Sequence, residues 1–277
     1  VDEVLAERER YPLKRRFSFT QLAAFENCPL QYKFAHVYKI PILGSFQKSF
    51  GNCIHNTFED ILELHGERGK STQGGLFDLP QQLPIASGFR VSVDEALSIF
   101  ETRWAENNNW YPDKATMEKY HSEGRESVKR TMASWQASPP DVAFLERPFE
   151  WTIGEHSIRG KVDRIDRLPN GSYGIIDYKT GAPKTEEKIE TKDKEQLWIY
   201  QCAMEEMGLS VTVLKYVYVL TGDELPIDLV QGAKRDAFRE RLGGRMKEIL
   251  MSRFEASPSP FICRYCDFRN ICEHRKL

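Results

Sequence analysis

Four cysteines dictate where the two ends of this chain must go. Three lie in the tail, as Cys263-Arg264-Tyr265-Cys266 followed by Cys272, and another, Cys28, lies near the opposite end. A CxxC pair with a third cysteine close behind has the spacing of a metal or iron–sulfur anchor. The missing ligand must come from far away in sequence, from Cys28, Cys53 or Cys202. Of these, Cys28 has the most cluster-like setting, Glu26-Asn27-Cys28-Pro29. The pattern predicts a staple that joins N- and C-terminal segments, and not a local finger. Zn²⁺ and an iron–sulfur cube both suit four thiolates, and spacing does not choose between them. Cys53 and Cys202 are expected as small core residues.

Length allows one large core or two modest ones, since the chain has 277 residues. No apolar stretch is long enough to cross a bilayer, and no signal peptide opens the sequence, so no membrane partner is expected. Six cysteines are too few for a disulfide scaffold at this length. Their clustering favours metal in a reducing compartment, hence a cytoplasmic location. The chain starts Val1-Asp2-Glu3 without Met, which suggests an excised domain or a processed product, although removal of Met alone explains it equally. Net charge is −2, so the molecule as a whole is no polycation. Residues 231–253 nevertheless carry seven cations against three carboxylates, and Lys14-Arg15-Arg16 adds a second basic patch. Such stripes suit a groove that tracks phosphates, or simply a solvated helix face.

Ser18-Phe19-Thr20-Gln21 has the form of a capping box that opens a helix. Pro29 restarts a second helical stretch. Apolar spacing predicts helices over 47–65, 91–107 and 113–136, with a Gly-, Gln- and Pro-rich loop or insertion over 66–90. Short β-forming runs follow at 149–153, 157–167 and 173–178, and Pro169-Asn170-Gly171 supplies the turn of a hairpin between the last two. A helix over 191–207, a strand over 211–220, a basic helix over 231–253 and the cysteine tail complete the order. This is an α/β chain with a central mixed sheet flanked by helices. Residues 1–17 are expected as a linker or extension, and 18–277 as one domain that ends in the cysteine tail, 261–277.

Polar chemistry concentrates on the hairpin. One strand runs Gly160-Lys161-Val162-Asp163-Arg164-Ile165-Asp166, the next Gly174-Ile175-Ile176-Asp177-Tyr178-Lys179. Alternation sends Asp177 and Lys179 to one side, Ile176 and Tyr178 to the other. Asp163 reaches the same site as Asp177 if the register allows. Two carboxylates and an ammonium suit a hard-cation site for Mg²⁺ or Mn²⁺, where a bound water is acidified and phosphoryl charge is offset. Surface ion pairs have the same triplet, so context is what separates this one. On helices, Gly51 and His55 lie four apart, as do Gln196 and Tyr200. His55 is a further candidate metal ligand, and Gln196 and Tyr200 are candidates to hydrogen-bond phosphates. The bland alternatives are a partly buried imidazole and a polar helix edge.

Taken in order, Cys28, Gly51 to His55, Gly160 to Asp163, Asp177-Tyr178-Lys179, Gln196 to Tyr200 and the Cys263, Cys266, Cys272 tail resemble the RecB-like branch of the PD-(D/E)xK nucleases. The match is narrower with iron–sulfur members, in AddB-type helicase–nucleases and CRISPR-adaptation nucleases. The resemblance spans about Ser18 to Cys272. It implies a restriction-endonuclease-like core and a metal site of His55, Asp163, Asp177 and the Tyr178 carbonyl. Lys179 is the implied catalytic lysine, and Gln196 and Tyr200 are the implied DNA contacts. It also implies a structural [4Fe–4S] cluster on Cys28, Cys263, Cys266 and Cys272. The proline of the family name is absent, since Val162 precedes Asp163.

Two functions from different classes follow. The first is a metal-dependent deoxyribonuclease that acts on single-stranded DNA or threaded duplex ends, exonucleolytic by expectation, in repair or recombination. It hydrolyses phosphodiesters with metal-activated water, and a helicase domain or subunit is the expected partner. The second is a nuclease-like module that holds DNA or a helicase without cutting. Aromatic residues Tyr32, Trp104, Trp110 and Trp135 are weighed as base-stacking positions, with core packing the plainer reading.

Overall fold

The computed structural model describes residues 15–42, 44–71 and 88–276. Its elements begin with β1 (Arg16–Phe17), α1 (Phe19–Asn27) and α2 (Pro29–Tyr32), which continues into a π-helical turn, Lys33–Val37. Three long helices follow, α3 (Phe46–Ser71), α4 (Val93–Asn107) and α5 (Lys114–Ala137). Then come β2 (Val142–Ile153), β3 (His156–Arg167), β4 (Tyr173–Lys179), α6 (Thr191–Glu206), β5 (Val211–Tyr218) and β6 (Asp223–Ile227). The chain closes with α7 (Gly232–Met251) and α8 (Pro260–Arg264).

Strand order is β1-β3-β4-β5-β6, with β2 also paired to β3. Parallel pairs (β1 with β3, β4 with β5) alternate with antiparallel ones (β3 with β4, β5 with β6), so the sheet is mixed as expected. The β3–β4 hairpin turns where the sequence predicted. Gly171 N–H donates to Leu168 O at 2.9 Å, and Pro169 takes the position that its fixed φ favours. The parallel β4–β5 pair needs a crossover, which α6 supplies.

The chain divides into two compact units: residues 1–43, 148–160 and 230–277, and residues 44–147 with 161–229. The second unit owns the larger core. Phe50, Ile54, Phe58 and Ile61 of α3 pack with Phe100 and Trp104 of α4, Val128 and Met132 of α5, and Ile176 and Tyr178 of β4. Each such side chain contributes roughly 1.5–3 kcal/mol on burial. Cys53 and Cys202 are wholly buried, and burial pushes the Cys53 thiol up to about 12. In the first unit, α1 starts on a capping box: Ser18 Oγ accepts from Gln21 N at 3.3 Å, and Gln21 Oε1 accepts from Ser18 N at 2.8 Å. Tyr32 stacks on Phe254 at 5.6 Å, Phe34 meets Phe268 edge-on at 5.4 Å, and Arg245 of the basic helix pairs with Glu26. N-terminal and C-terminal segments therefore share one small core.

Four elements differ from the sequence reading. Arg16 and Phe17, expected within a linker or extension, form β1 and pair with Ser157 and Ile158 of β3, with Phe17 buried. Helix α3, expected to end at residue 65, runs through Ser71. Its last turns are held from outside: Arg68 forms a fork with Glu95 at 2.6 and 3.1 Å and donates to Arg90 O, while His65 Nδ1 accepts from Arg90 N. The rest of the stretch expected as a loop, 72–87, lies outside the described residues. Strand β2 begins at Val142, well before Phe149, because Glu146-Arg147-Pro148 masks the alternation. Strand β6 was not anticipated at all; Pro226 argues against a strand, but β6 lies at the sheet edge, where proline is tolerated. Among the described residues no helix is long and apolar enough to cross a membrane.

Helices α4 and α5 meet at Gly124, where an added Cβ would lie 2.6 Å from Phe100 Cζ and 3.3 Å from Phe50 Cε2. Gly124→Ala is therefore expected to lower stability by about 1–3 kcal/mol through overpacking, read from the midpoint of urea unfolding.

Candidate metal centre and active site

His55, Asp163, Asp177, Lys179, Gln196 and Tyr200 all lie in the second unit, around the point where the β3–β4 ladder stops, whereas the basic helix over 231–253 belongs to the first. The paired positions end at Arg164 and Ile176. One further step in that register sets Asp163 across from Asp177. Instead of continuing the ladder, Asp163 turns its side chain in: Oδ2 accepts from Tyr178 N at 3.0 Å. His55, on α3, brings its ring to the same place. Nε2 lies 3.1 Å from Tyr178 O, and Nδ1 lies 3.3 Å from Asp163 Oδ2.

Donor and acceptor chemistry makes this arrangement incomplete. Burial depresses the His55 pKa, against an opposing pull from Asp177, so the ring is neutral and has one N–H. A carbonyl only accepts, which puts that proton on Nε2 and leaves the Nδ1 lone pair facing a carboxylate oxygen. Burial, with the charge of Asp177 second, raises the Asp163 carboxyl well above its ordinary range. A proton between the two groups relieves their repulsion, and so does a cation. Adjacent ligands of a small octahedral ion are about 3 Å apart, which the observed separation matches closely.

Glu146 joins them. Its carboxylate, His55 and Asp163 each offer a ligand atom, all within 4.8 Å of one another. The residue has a left-handed backbone, φ 43°, and this aims its side chain at the site from β2. Glu146 was missed in the sequence reading. The signal available was a lone acid ending the apolar run Val142 to Leu145, just before Pro148. Its charge is also felt one turn along α3, where burial first and Glu146 second raise the Glu59 carboxyl.

Asp177 and Lys179 share a side of β4, as alternation required. Asp177 is 2% exposed, and Lys179 Nζ stands 2.6 Å from its Oδ2. That contact is a charge pair without hydrogen-bond alignment, so the buried Oδ2 depends on the Lys179 ammonium for its compensation. Such an oxygen is costly unless an ion or proton satisfies it. The donor set that meets within ligand distance is His55, Glu146 and Asp163, nitrogen and oxygen atoms only, which fits a divalent cation; Asp177 stands outside that group, paired with Lys179. Tyr178 O retains one lone pair beyond its contact with His55.

Lys179 Nζ also donates to Gln196 Oε1 at 2.8 Å, Gln196 Nε2 donates to Tyr200 OH at 2.8 Å, and the ammonium lies 4.8 Å from the Tyr216 ring centre. Gln196 and Tyr200 therefore sit behind Lys179. Tyr200 is only 6% exposed, with burial raising its hydroxyl pKa well above normal. Of the aromatic residues weighed for stacking, Tyr32, Trp104 and Trp135 are buried and Trp110 is exposed.

Tyr178 is gripped on the opposite face as well. Its hydroxyl accepts from Arg164 Nη1 at 2.9 Å, and Arg164 forms a buried fork with Asp166 at 2.7 and 2.5 Å. In the first unit, Cys28, Cys263, Cys266 and Cys272 line one small cavity. Ser257 N donates to Cys28 Sγ at 3.3 Å, and burial raises the Cys266 thiol.

Residues 16–273 match the PD-(D/E)XK nuclease superfamily, and the chain belongs to that superfamily. It is 23% identical to the Gene 69 protein of Mycobacterium phage D29, over 92% of this chain and 95% of that one. It is 26% identical to a subunit of the ATP-dependent helicase/deoxyribonuclease of Streptococcus agalactiae, over 62% of this chain. A shorter stretch, 15% of this chain, is 50% identical to the corresponding subunit from Streptococcus equi subsp. zooepidemicus. The matched regions make up 14% of the S. agalactiae protein and 4% of the S. equi one.

Because proton and cation compete for Asp163, Mn²⁺ affinity is expected to rise as the pH is raised from the acid side toward neutrality, with proton release on binding. Calorimetry in buffers of differing ionisation heat checks this, and Glu146→Gln is expected to weaken the affinity. Asp166→Ala strands the Arg164 charge and is expected to cost about 3–5 kcal/mol of stability, measured by urea unfolding.

Proposed function

We propose that the chain is a cytoplasmic, divalent-metal-dependent deoxyribonuclease, with Mg²⁺ or Mn²⁺ held by His55, Asp163 and Asp177, assisted by Glu146 and the Tyr178 carbonyl. One observation carries the reading: His55, Glu146 and Asp163 each bring a ligand atom within 4.8 Å of the others, beside the buried carboxylate of Asp177 that Lys179 pairs. When bound, a divalent ion supplies Lewis-acid charge to a phosphoryl oxygen and lowers the pKa of water.

The chain's own residues do the remaining work. Asp163 and Asp177 present oxygens from adjacent strands and are fixed by Tyr178 N–H and by burial, so little reorganisation is needed when substrate arrives. Lys179 is the catalytic lysine. Its ammonium is aimed by Gln196 Oε1, orients the attacking water and hydrogen-bonds the phosphate oxygen on which charge builds. Gln196 and Tyr200 act as positioning residues for that ammonium, with the half-buried Gln196 amide held between Lys179 and the Tyr200 hydroxyl.

The family membership favours hydrolysis of phosphodiesters. The names of the streptococcal relatives favour DNA as substrate and a helicase as partner. The finer reading is exonucleolytic cleavage of single-stranded or end-threaded DNA in repair or recombination, with 18–277 as the working domain. Cys28, Cys263, Cys266 and Cys272 suit a structural [4Fe–4S] cluster, zinc being the alternative; either group, when bound, cross-links the N-terminal and C-terminal segments.

End-labelled single- and double-stranded DNA incubated with Mn²⁺ tests the activity. Lys179→Ala is expected to lose at least about 100-fold in cleavage rate while it still binds DNA in chelator. Undiminished cleavage would remove the mechanism. A brown protein with visible absorbance and stoichiometric iron and sulfide is expected; a colourless, zinc-loaded one would replace the cluster.

A further inference from the structure

The tail carries a second surface that the metal centre does not use. A groove of about 560 Å³ opens in the first unit beside α8, lined by Phe261, Arg264, Arg269, Arg275 and Lys276 among others. Among the described residues no carboxylate lines it. Two of its guanidinium groups are held by neutral partners: Arg269 Nη1 donates to Arg264 O at 2.9 Å, and Arg275 Nη1 to Arg269 O at 3.1 Å. The positive charge of the groove is therefore fixed in place and is not cancelled there.

Exposed rings accompany the charge. Phe261 is 75% exposed and Tyr265 68%, with their centres 5.5 Å apart and edge to face. Arg264 lies 5.8 Å over the Tyr265 ring. Of nine large apolar side chains exposed among the described residues, three (Phe261, Tyr265 and Ile271) fall in this short stretch. The basic helix α7 offers less. Arg239 donates to Thr152 O and lies over Trp151, and Arg245 is paired with Glu26.

Cations without carboxylates, interleaved with open ring faces, fit one polymer best: phosphates at regular intervals with unpaired bases between them. Duplex DNA hides its base faces, and an apolar protein surface gains nothing from four uncompensated cations. We infer that Phe261, Tyr265, Arg264, Arg269, Arg275 and Lys276 form a binding track for single-stranded DNA, with bases stacking on the two rings and phosphates on the cations. The choice of DNA as the nucleic acid rests on the deoxyribonuclease reading; the track itself does not.

The test is binding without cleavage. The full chain is titrated in chelator against a labelled single strand of about 16 nucleotides, followed by fluorescence anisotropy. Phe261→Ser with Tyr265→Ser is expected to weaken binding about tenfold or more with an unchanged salt dependence. Arg264→Gln is expected to flatten the slope of log affinity against log salt by about 0.7. These side chains are exposed, and circular dichroism confirms that the variants fold. All variants are expected to hydrolyse a small chromogenic phosphodiester with Mn²⁺ as the parent does. Unchanged affinity and slope in the variants overturns the track. So does equal or greater sensitivity of binding to anionic lipid vesicles. If no variant, nor the parent, cuts DNA but binding responds as described, the nuclease reading fails and the track stands.

Discussion

The contact between the Asp163 carboxylate and the Tyr178 amide is the interaction on which the site is built. It ends the β3–β4 ladder one residue early, satisfying an amide that loses its strand partner there. The same bond aims the carboxylate at His55, and Asp177, just before Tyr178 on β4, adds a second buried acid whose charge Asp163 feels. A carboxylate so placed is an acceptor in excess of its donors. The structure gathers acceptors that a cation would satisfy, and packs Ile176, Phe58 and Trp135 into the core beside them.

Tyr178 explains why the arrangement is rigid. Its backbone meets His55 and Asp163 while its hydroxyl is locked by Arg164, and Arg164 is locked by Asp166. The two faces of one strand are thereby tied through a single residue. A buried guanidinium–carboxylate fork is weak evidence for net stability. As a device for fixing where a backbone carbonyl and amide lie, it acts by holding Arg164 between Asp166 and the Tyr178 hydroxyl.

Much of this was legible in the residues. Period-two alternation put Asp177 and Lys179 on one side, and the Pro169-Asn170-Gly171 turn fixed the register that brings Asp163 alongside. The capping box at Ser18 and the cores of α3, α4 and α5 followed from spacing alone. What escaped was set by tertiary context. Glu146 reaches the site through a left-handed backbone that no local propensity favours. The role of Gln196 and Tyr200 behind Lys179 depends on how α6 packs against β4. The last turns of α3 exist because Glu95 and the Arg90 carbonyl hold Arg68, a partner some 27 positions away.

The division of the chain has a consequence for its biogenesis. The unit with the acids, His55 and Lys179 is complete once residue 229 has been synthesised, whereas the other unit gathers three segments and waits for the final ones. On a ribosome the candidate site residues thus emerge before the last segment of the other unit, although the site itself is closed by contacts as distant as the 123 positions between His55 and Tyr178. The cysteine-bearing unit joins segments far apart in sequence, as the bond from Ser257 N to Cys28 Sγ across 229 positions illustrates, and closure of that kind slows folding. Any nascent chain that stalls before the tail emerges carries its chemical groups without the part of the molecule that collects the two ends.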